Sequence, residues 1–565
     1  TTAKAPAATA TAAELACNLS ATSTASPISS LTTSSLLSGG RDPRDAVVKI
    51  FNTRQRPGWT VPWQDQPVES STGSGAVVDL PIKNGSAVVR LILTAAHVIA
   101  DTRYLQVQRG TDRFSGEKYR ASIAAVCHEA DLALLYVHSP VALEMIKPLK
   151  VAPAEKLPQV FDKVRVVGYP VGGDACSITE GVVSRVEVQE YSHSLRAGLA
   201  LTVDAAINSG NSGGPLVDAA TAEIVGVAFQ KLVARGVELQ GHAVPAPLIQ
   251  RFLAEVQELV TKEEVFPPPA NNTKLQDRYP LRLRLPSLGC DYQSLEPPAL
   301  RRSLGLGDRS GVLVGRLHTA GATEEGEKTE EPTLKSGDVL LEFNGYSLDE
   351  MAFCSLLGRR LHFAAARDLC QVGQKVPIKV WREGEELELE HTLNPARYLV
   401  PRGQFDVRSK FFICGGLVFQ PLSHEYLQGW SPNERPPHLQ NLFMSGHLTP
   451  HKTEAIMISQ ILADEINAGY DSGWVGAPIV QAVNGEPIRD LFHLIDLVTS
   501  LRNQAAEGSE ELFIRFDVQM SSGPYRLVLP VNDLPEADSR ICHLYGVPEH
   551  CRSFHYMAEE LLPVK

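Results

Sequence analysis

The sequence has no CxxC pair, and its nine cysteines are scattered and odd in number. That pattern excludes a structural zinc site of the usual spacing and a disulfide framework, and it points to a reducing compartment. No uninterrupted apolar run approaches the roughly 18 residues that a membrane-spanning helix requires. Positive charge is also in deficit. Lys and Arg number 53 against 65 Asp and Glu, a formal net charge of −12. An obligate nucleic-acid binder draws its affinity from neutralising phosphates, so that class is excluded for the chain as a whole. The first residue is Thr1 and not Met, so we expect the true start to be missing or processed.

What is present is a chain of 565 residues, enough for three or four domains. Residues 1–44 are dominated by Ala, Thr and Ser, with almost no charge before Arg41. Such a stretch cannot offset the entropy of ordering by burial, and it reads as disordered low complexity or the remnant of a targeting peptide. From Asp45 the pattern changes to short β-branched runs with turn residues between them: Ala46–Phe51, Gly75–Leu80, Ala87–Thr94, Asp131–Val137, Val164–Gly168, Gly181–Val188 and Ile224–Phe229. These predict an all-β barrel or sandwich closed by a helix over Pro247–Val260.

Three consecutive prolines in Phe266–Ala270 predict an extended linker. Beyond it two segments share an outline of loop, strand, Asn-Gly turn and apolar helix. In the first, the loop is Ser287–Cys290, a strand is Val312–Leu317, and Asp338–Tyr346 carries Asn344-Gly345. In the second, the loop is Cys414–Leu417, a strand is Ile456–Leu462, and Pro478–Gly485 ends on Asn484-Gly485. An Asn-Gly pair suits the left-handed backbone of a tight hairpin.

Within the β-rich segment three motifs follow one another. LTAAHV (Leu93–Val98) puts His97 after an apolar strand, EADLALLYV (Glu129–Val137) puts Asp131 at the head of one, and NSGNSGGPLV (Asn208–Val217) sets Ser212 among glycines. A serine hydroxyl is a weak nucleophile and needs a base within reach. His97 has the ordinary pKa for that task, and Asp131 would fix its tautomer and stabilise the imidazolium. The glycines let the backbone turn sharply, so that the N–H groups of Gly210 and Ser212 converge on a developing oxyanion. One histidine of 16, or one glycine cluster, says little; the three in this order point to a Ser-His-Asp hydrolase.

These motifs resemble those of trypsin-fold serine proteases of the Deg/HtrA family. VVGYP and GVVSR within Val166–Arg185, DAAINSGNSGGP (Asp204–Pro215) and GHAVPAPLI (Gly241–Ile249) resemble the family as well. FFICGGLVF (Phe411–Phe419) resembles the divergent PDZ domain of the plant-type Deg subgroup. The resemblance implies a mainly β fold: a trypsin-like double β-barrel followed by two α+β PDZ domains. The expected boundaries are a leader over 1–44, protease over 45–262, linker over 263–280, first PDZ over 281–397 and a second, PDZ-like domain over 398–565.

It further implies His97 as base, Asp131 as orienting acid, Ser212 as nucleophile, and Gly210 and Asn211 as oxyanion-loop backbone. Ser209 stands where the family often has proline, a departure expected to be harmless. Arg185–Gly198 and Gln230–Gly241 are expected to be sensor and activation loops. Ala206, six residues before Ser212, stands where a pocket for Lys or Arg would carry an acid. With Ile207, Val227 and Phe229 it implies an apolar pocket and cleavage after small or aliphatic residues. Leu288, Gly289 and Cys290 are expected to hold a peptide carboxylate, and Gly415-Gly416-Leu417 is the second such loop, for capture or for assembly. Trp59 and Trp63 precede the barrel in this reading, and either pack on it or help to build a trimer or a multiple of trimers.

The resulting expectation is an ATP-independent serine endopeptidase acting on damaged or unfolded proteins. It uses no cofactor or metal, binds no nucleic acid, and associates at most peripherally with membranes. The alternatives are a non-catalytic chaperone or PDZ scaffold, or a processing protease with one client. The resemblance favours the chloroplast, ahead of nucleus, mitochondrion and cytosol.

Overall fold

Two six-stranded barrels of unlike strand order form the amino-terminal half of the computed structural model. It describes residues 42–82, 87–113, 116–139, 141–234, 237–262, 280–318, 333–470, 476–508 and 511–548. The expected leader and the triple-proline linker lie outside the described residues.

In the first barrel β1 (Val47–Arg54) pairs with β2 (Glu69–Ile82), β2 with β3 (Ala87–Thr94), and β3 with β6 (Leu132–Val137). The ring closes through β5 (Tyr119–Cys127) and β4 (Thr102–Arg109) back to β1. The second barrel runs β7 (Lys163–Gly168), β8 (Ser177–Tyr191), β9 (Arg196–Val203), β12 (Val237–Pro245), β11 (Ile224–Ala234), β10 (Pro215–Asp218) and closes on β7. The seven strands expected from the β-branched runs are all present. The helix Ala246–Lys262 follows, burying Leu248, Ile249, Phe252, Val256 and Val260 at helical spacing against the first barrel.

The regions expected as sensor and activation loops are β-hairpins. Arg185–Gly198 is almost all β8 and β9, turning at Leu195, and β11 pairs with β12 across Gln230–Gly241. Alternating Val186, Val188, Leu199 and Leu201 have packing partners in the second barrel's core, which holds that hairpin as sheet.

Leu281–Arg282 adds a parallel strand to β5, and Leu283 and Leu285 are buried in the core shared with the first barrel. The segment just after the linker therefore packs as part of the first barrel. Beyond it, a sheet of Cys290–Ser294, Val312–Leu317, Val339–Phe343, Lys375–Arg382 and Glu385–Thr392 forms the next domain. The last domain is a sheet of Phe412–Cys414, Leu417–Pro421, Ile456–Ile461, Ile479–Val483, Phe513–Met520 and Gly523–Pro530, covered by the helices Leu491–Glu507 and Leu534–Leu544. The repeated hairpins are present: Asn344 and Asn484 both have φ of 49°, each followed by a glycine at 81° or 89°. The expected apolar helix differs between the two, at 17 residues in the last domain and a five-residue turn, Ala364–Asp368, in the other.

Trp59 and Trp63 do not precede the barrel. They lie between β1 and β2 and pack on the last domain of the same chain. Trp59 sits with Leu399, Leu422 and Tyr426, while Trp63 lies with Val418 and Ile541 and faces Phe411 at 5.8 Å. Gln460 anchors the loop by donating to the Thr60 carbonyl at 2.6 Å. Both rings are half-buried in contacts within one chain, against the last domain and not against the barrel.

Candidate active site

His97 sits on the one-turn helix Ala96–Ile99 that caps β3. Asp131 ends the turn His128–Ala130 in a left-handed conformation, φ 52°, which aims its carboxylate back at that helix. The carboxylate accepts twice from His97, from the ring Nδ1 at 2.8 Å and from the backbone N–H at 2.8 Å. Two bonds to one residue fix ring orientation and tautomer together, leaving Nε2 to face the cleft. Asp131 is fully buried, whereas the His97 side chain is 28 % exposed. Burial pulls the imidazole pKa down, but the Asp131 charge and hydrogen bond outweigh it, so His97 lies above its ordinary value. Burial pushes Asp131 up, and the His97 charge with the two His97 bonds brings it below the ordinary carboxylate value.

Ser212 lies on the loop between β9 and β10. The loop is stapled to both barrels: Ser74 N donates to Ser212 O at 2.9 Å, Gly213 N to Ala228 O at 2.7 Å, and Val171 N to Ser209 O at 2.8 Å. Ser209 thus serves through its carbonyl, which proline would also supply. Gly210 has φ of 97°, and a Cβ there would come within 2.3 Å of the Tyr169 carbonyl, so only glycine fits. Among the described residues the N–H groups of Gly210 and Ser212 have no acceptor in the chain and are free to face an oxyanion. Asn211, expected in the oxyanion backbone, instead donates its N–H to Asn208 O at 3.0 Å and closes the turn. The Ser212 hydroxyl makes no hydrogen bond to His97 in this arrangement, a looseness common in unliganded sites.

Ala206 and Ile207 lead into this loop, and Val227 and Phe229 lie on β11, which pairs with β10 beyond it. Ala206 is half-buried and its carbonyl accepts from Thr179 Oγ1 at 3.0 Å. Ile207 packs on Gly241, Val227 pairs in register with Pro215, and Phe229 meets Tyr191 at 4.4 Å between ring centroids, the planes tilted by 33°. Among these four there is no charge to pair with a basic substrate side chain.

Three contributions escaped the sequence reading. Ser74 bridges the barrels beneath the nucleophile loop, and its only signal is the glycine pair around it in Thr72–Gly75. His193, on the β8–β9 turn, lies 6.1 Å from His97 ring to ring; burial drives its pKa down to about 3, so it is neutral. Phe405 and Asp406, from the segment leading into the last domain, dock behind the triad. Phe405 stacks on His193 at 3.8 Å, and Asp406 accepts from His128 Nε2 at 3.0 Å and from Asp101 N at 2.6 Å.

The two candidate carboxylate loops are already engaged. Leu288 and Cys290 are buried in the core, Gly289 N donates to Ser287 Oγ at 3.1 Å, and the Leu288 carbonyl accepts from His391 Nε2 at 3.1 Å. In the second loop Gly415 N donates to Asp538 Oδ1 of the chain's own helix at 2.6 Å, with Arg502 bonded to the other carboxylate oxygen.

Residues 73–227 match the trypsin-like peptidase domain family and residues 400–553 a PDZ domain family. The chain is 32 % identical to the Arabidopsis thaliana protein "Protease Do-like 2, chloroplastic" over 81 % of this chain and 68 % of that one. It is 29 % identical to "Protease Do-like 4, mitochondrial" of the same plant over 89 % of this chain and 84 % of that one. A solved HtrA-type protease with a bound decapeptide aligns at 21 % identity, covering 62 % of this chain and 96 % of that one with a TM-score of 0.42.

Proposed function

The chain belongs to the Do-like (Deg/HtrA) protease family, is a serine endopeptidase with a trypsin-like fold and a PDZ domain, and from that premise we propose how it acts and on what. His97 removes the Ser212 proton, Asp131 holds and stabilises the resulting imidazolium, and the N–H groups of Gly210 and Ser212 receive the oxyanion. The observation that carries this reading is the pair of hydrogen bonds that Asp131 accepts from His97, with Gly210 and Ser212 N–H groups that have no acceptor among the described residues on the nucleophile loop.

The substrates in this reading are unfolded or damaged proteins, cut without ATP after Val, Ile, Ala or Leu. Ala206 and its apolar neighbours would leave a substrate ammonium unpaired, at several kcal/mol as for any buried charge. Residues 281–397 act as a further PDZ domain of a plant-type Deg protein. Its Leu288–Cys290 loop takes a peptide only after the Ser287 and His391 contacts open, which suits regulated capture. The occupied Gly415 loop favours docking or assembly for the last domain, in a homo-oligomer built on trimers. The location is an organelle, the chloroplast first, since the matched relatives carry chloroplastic and mitochondrial names.

The test compares wild type with Ser212→Ala on casein and on a fluorophosphonate label. Labelling and aliphatic-site cleavage by wild type alone support the reading. Equal cleavage by both ends the triad assignment, and a majority of cuts after Lys or Arg ends the pocket assignment.

A further inference from the structure

Five arginines converge on one cavity where the catalytic barrels meet the carboxy-terminal domains. The cavity holds about 480 Å3 and is lined by Arg196, Arg282, Arg284, Arg397 and Arg402, with Glu129 the one acidic side chain in its wall. Glu129 is already committed: Arg284 donates to one of its oxygens at 2.6 Å and the Leu285 N–H to the other at 2.6 Å. Arg196 is paired behind the wall with Asp368 at 2.7 Å. Arg282 donates to the backbone carbonyl of Asp406 at 3.3 Å. Arg402 lies over the rings of Tyr398 and Phe443.

Five like charges lining one hollow against one carboxylate are poorly matched, although Arg282, Arg284 and Arg397 remain exposed to water. Two of these arginines also carry an unmet donor. The Nε atoms of Arg196 and Arg402 are buried donors with no acceptor among the described residues. A buried donor left unpaired costs more than a made bond returns, and each is one end of a planar fork shaped for phosphate. The chain as a whole is acidic, so this is a local reversal of sign.

We propose that this cavity binds a small polyanion bearing two or more phosphoryl groups. Its volume suits such a ligand, and Arg forks recognise phosphate oxygens two at a time. Bound there, the ligand bridges Arg282 and Arg284, which follow the linker, to Arg397 and Arg402, which lead into the last domain. It thereby ties together the segments that pack on Glu129, two residues from Asp131.

The test uses the full chain carrying Ser212→Ala to prevent self-cleavage, titrated calorimetrically with inorganic tripolyphosphate at constant ionic strength. One ligand should bind per chain. Arg282→Gln with Arg402→Gln should weaken binding at least about tenfold, since each charged hydrogen bond lost is worth that much. Arg165→Gln with Arg360→Gln, on surface pairs elsewhere, should not. As a second measurement on the unmutated cavity, tripolyphosphate should protect Arg282, Arg397 and Arg402 from a dicarbonyl reagent, read by mass spectrometry. Absence of binding, equal binding by both double variants, or protection confined to arginines outside the cavity overturns the proposal.

Discussion

Ser74 Oγ donates to the carbonyl of Gly210 at 2.7 Å while accepting the Tyr169 N–H at 2.8 Å. One buried hydroxyl on a strand of the first barrel thus holds the nucleophile loop of the second. Replacing it with alanine leaves a buried donor and a buried acceptor unpaired at about 1–3 kcal/mol. We expect Ser74→Ala to lower kcat by about five- to a hundredfold with little change in KM for a short peptide. Slower labelling by a fluorophosphonate would accompany it. An unchanged kcat would mean that the loop is held by its backbone staples alone.

The pH profile follows from His97. The base acts only when neutral, and its raised pKa places the acid limb of kcat/KM above 6.5, rising with pH to a plateau in mild alkali. Asp131→Asn removes what raises the pKa and leaves the burial that lowers it. The midpoint should then move below 6.5, while kcat falls about 10⁴-fold because the tautomer is lost. A midpoint that stays put would show that Asp131 does not govern the imidazole.

In the last domain, Asp538 occupies the Gly415 N–H as a peptide terminus would. Asp538→Ala frees that donor and leaves Arg502 without its carboxylate. We expect the full chain, with Ser212→Ala, to gain affinity for a peptide with an apolar carboxy-terminal residue, measured by fluorescence polarisation. Its melting temperature should fall, since a lost charged bond costs about 1–3 kcal/mol. A peptide amide should not bind. Equal binding by the undisturbed chain would show that the helix is no obstacle.

The catalytic motifs were legible in the sequence because each is a few contiguous residues whose chemistry admits few other uses. The strands around them were legible where β-branched runs are buried on both faces, as in β3 and β6. Thr102–Arg109 and Tyr119–Cys127 escaped notice because their mixed polar and apolar residues carry no clear period. The placement of Trp59 and Trp63 was misread because their partners come from the last domain. Phe405 and Asp406 could not be read at all. They meet His193, His128 and Asp101 hundreds of residues away in the chain, and no local pattern encodes that meeting.

The same long-range contacts alter what a truncated protease should do. A chain cut at Lys262 keeps both barrels and every triad residue. It loses Leu283 and Leu285 from the core shared with the first barrel, together with the strand Leu281–Arg282 on β5. Glu129 loses Arg284 and the Leu285 N–H, and His128 loses Asp406. Both residues belong to the turn that delivers Asp131 to His97. Burying a leucine side chain is worth about 1.5–3 kcal/mol, so two such losses take a large share of a typical margin of about 5–15 kcal/mol. Residues 42–262 should therefore melt well below the full chain and turn over even a short aliphatic peptide slowly. Extending the cut to residue 286 should recover much of both quantities, because the Leu283, Leu285 and Arg284 contacts return. Casein degradation should lag behind peptide turnover in either form, since peptide capture and the contacts of Phe405 and Asp406 are still missing. Calorimetry and peptide assays on the two truncated chains and the full chain distinguish these effects. If residues 42–262 match the full chain in melting temperature and peptide turnover, the segment after the linker only rests on the protease and does not hold its catalytic turn.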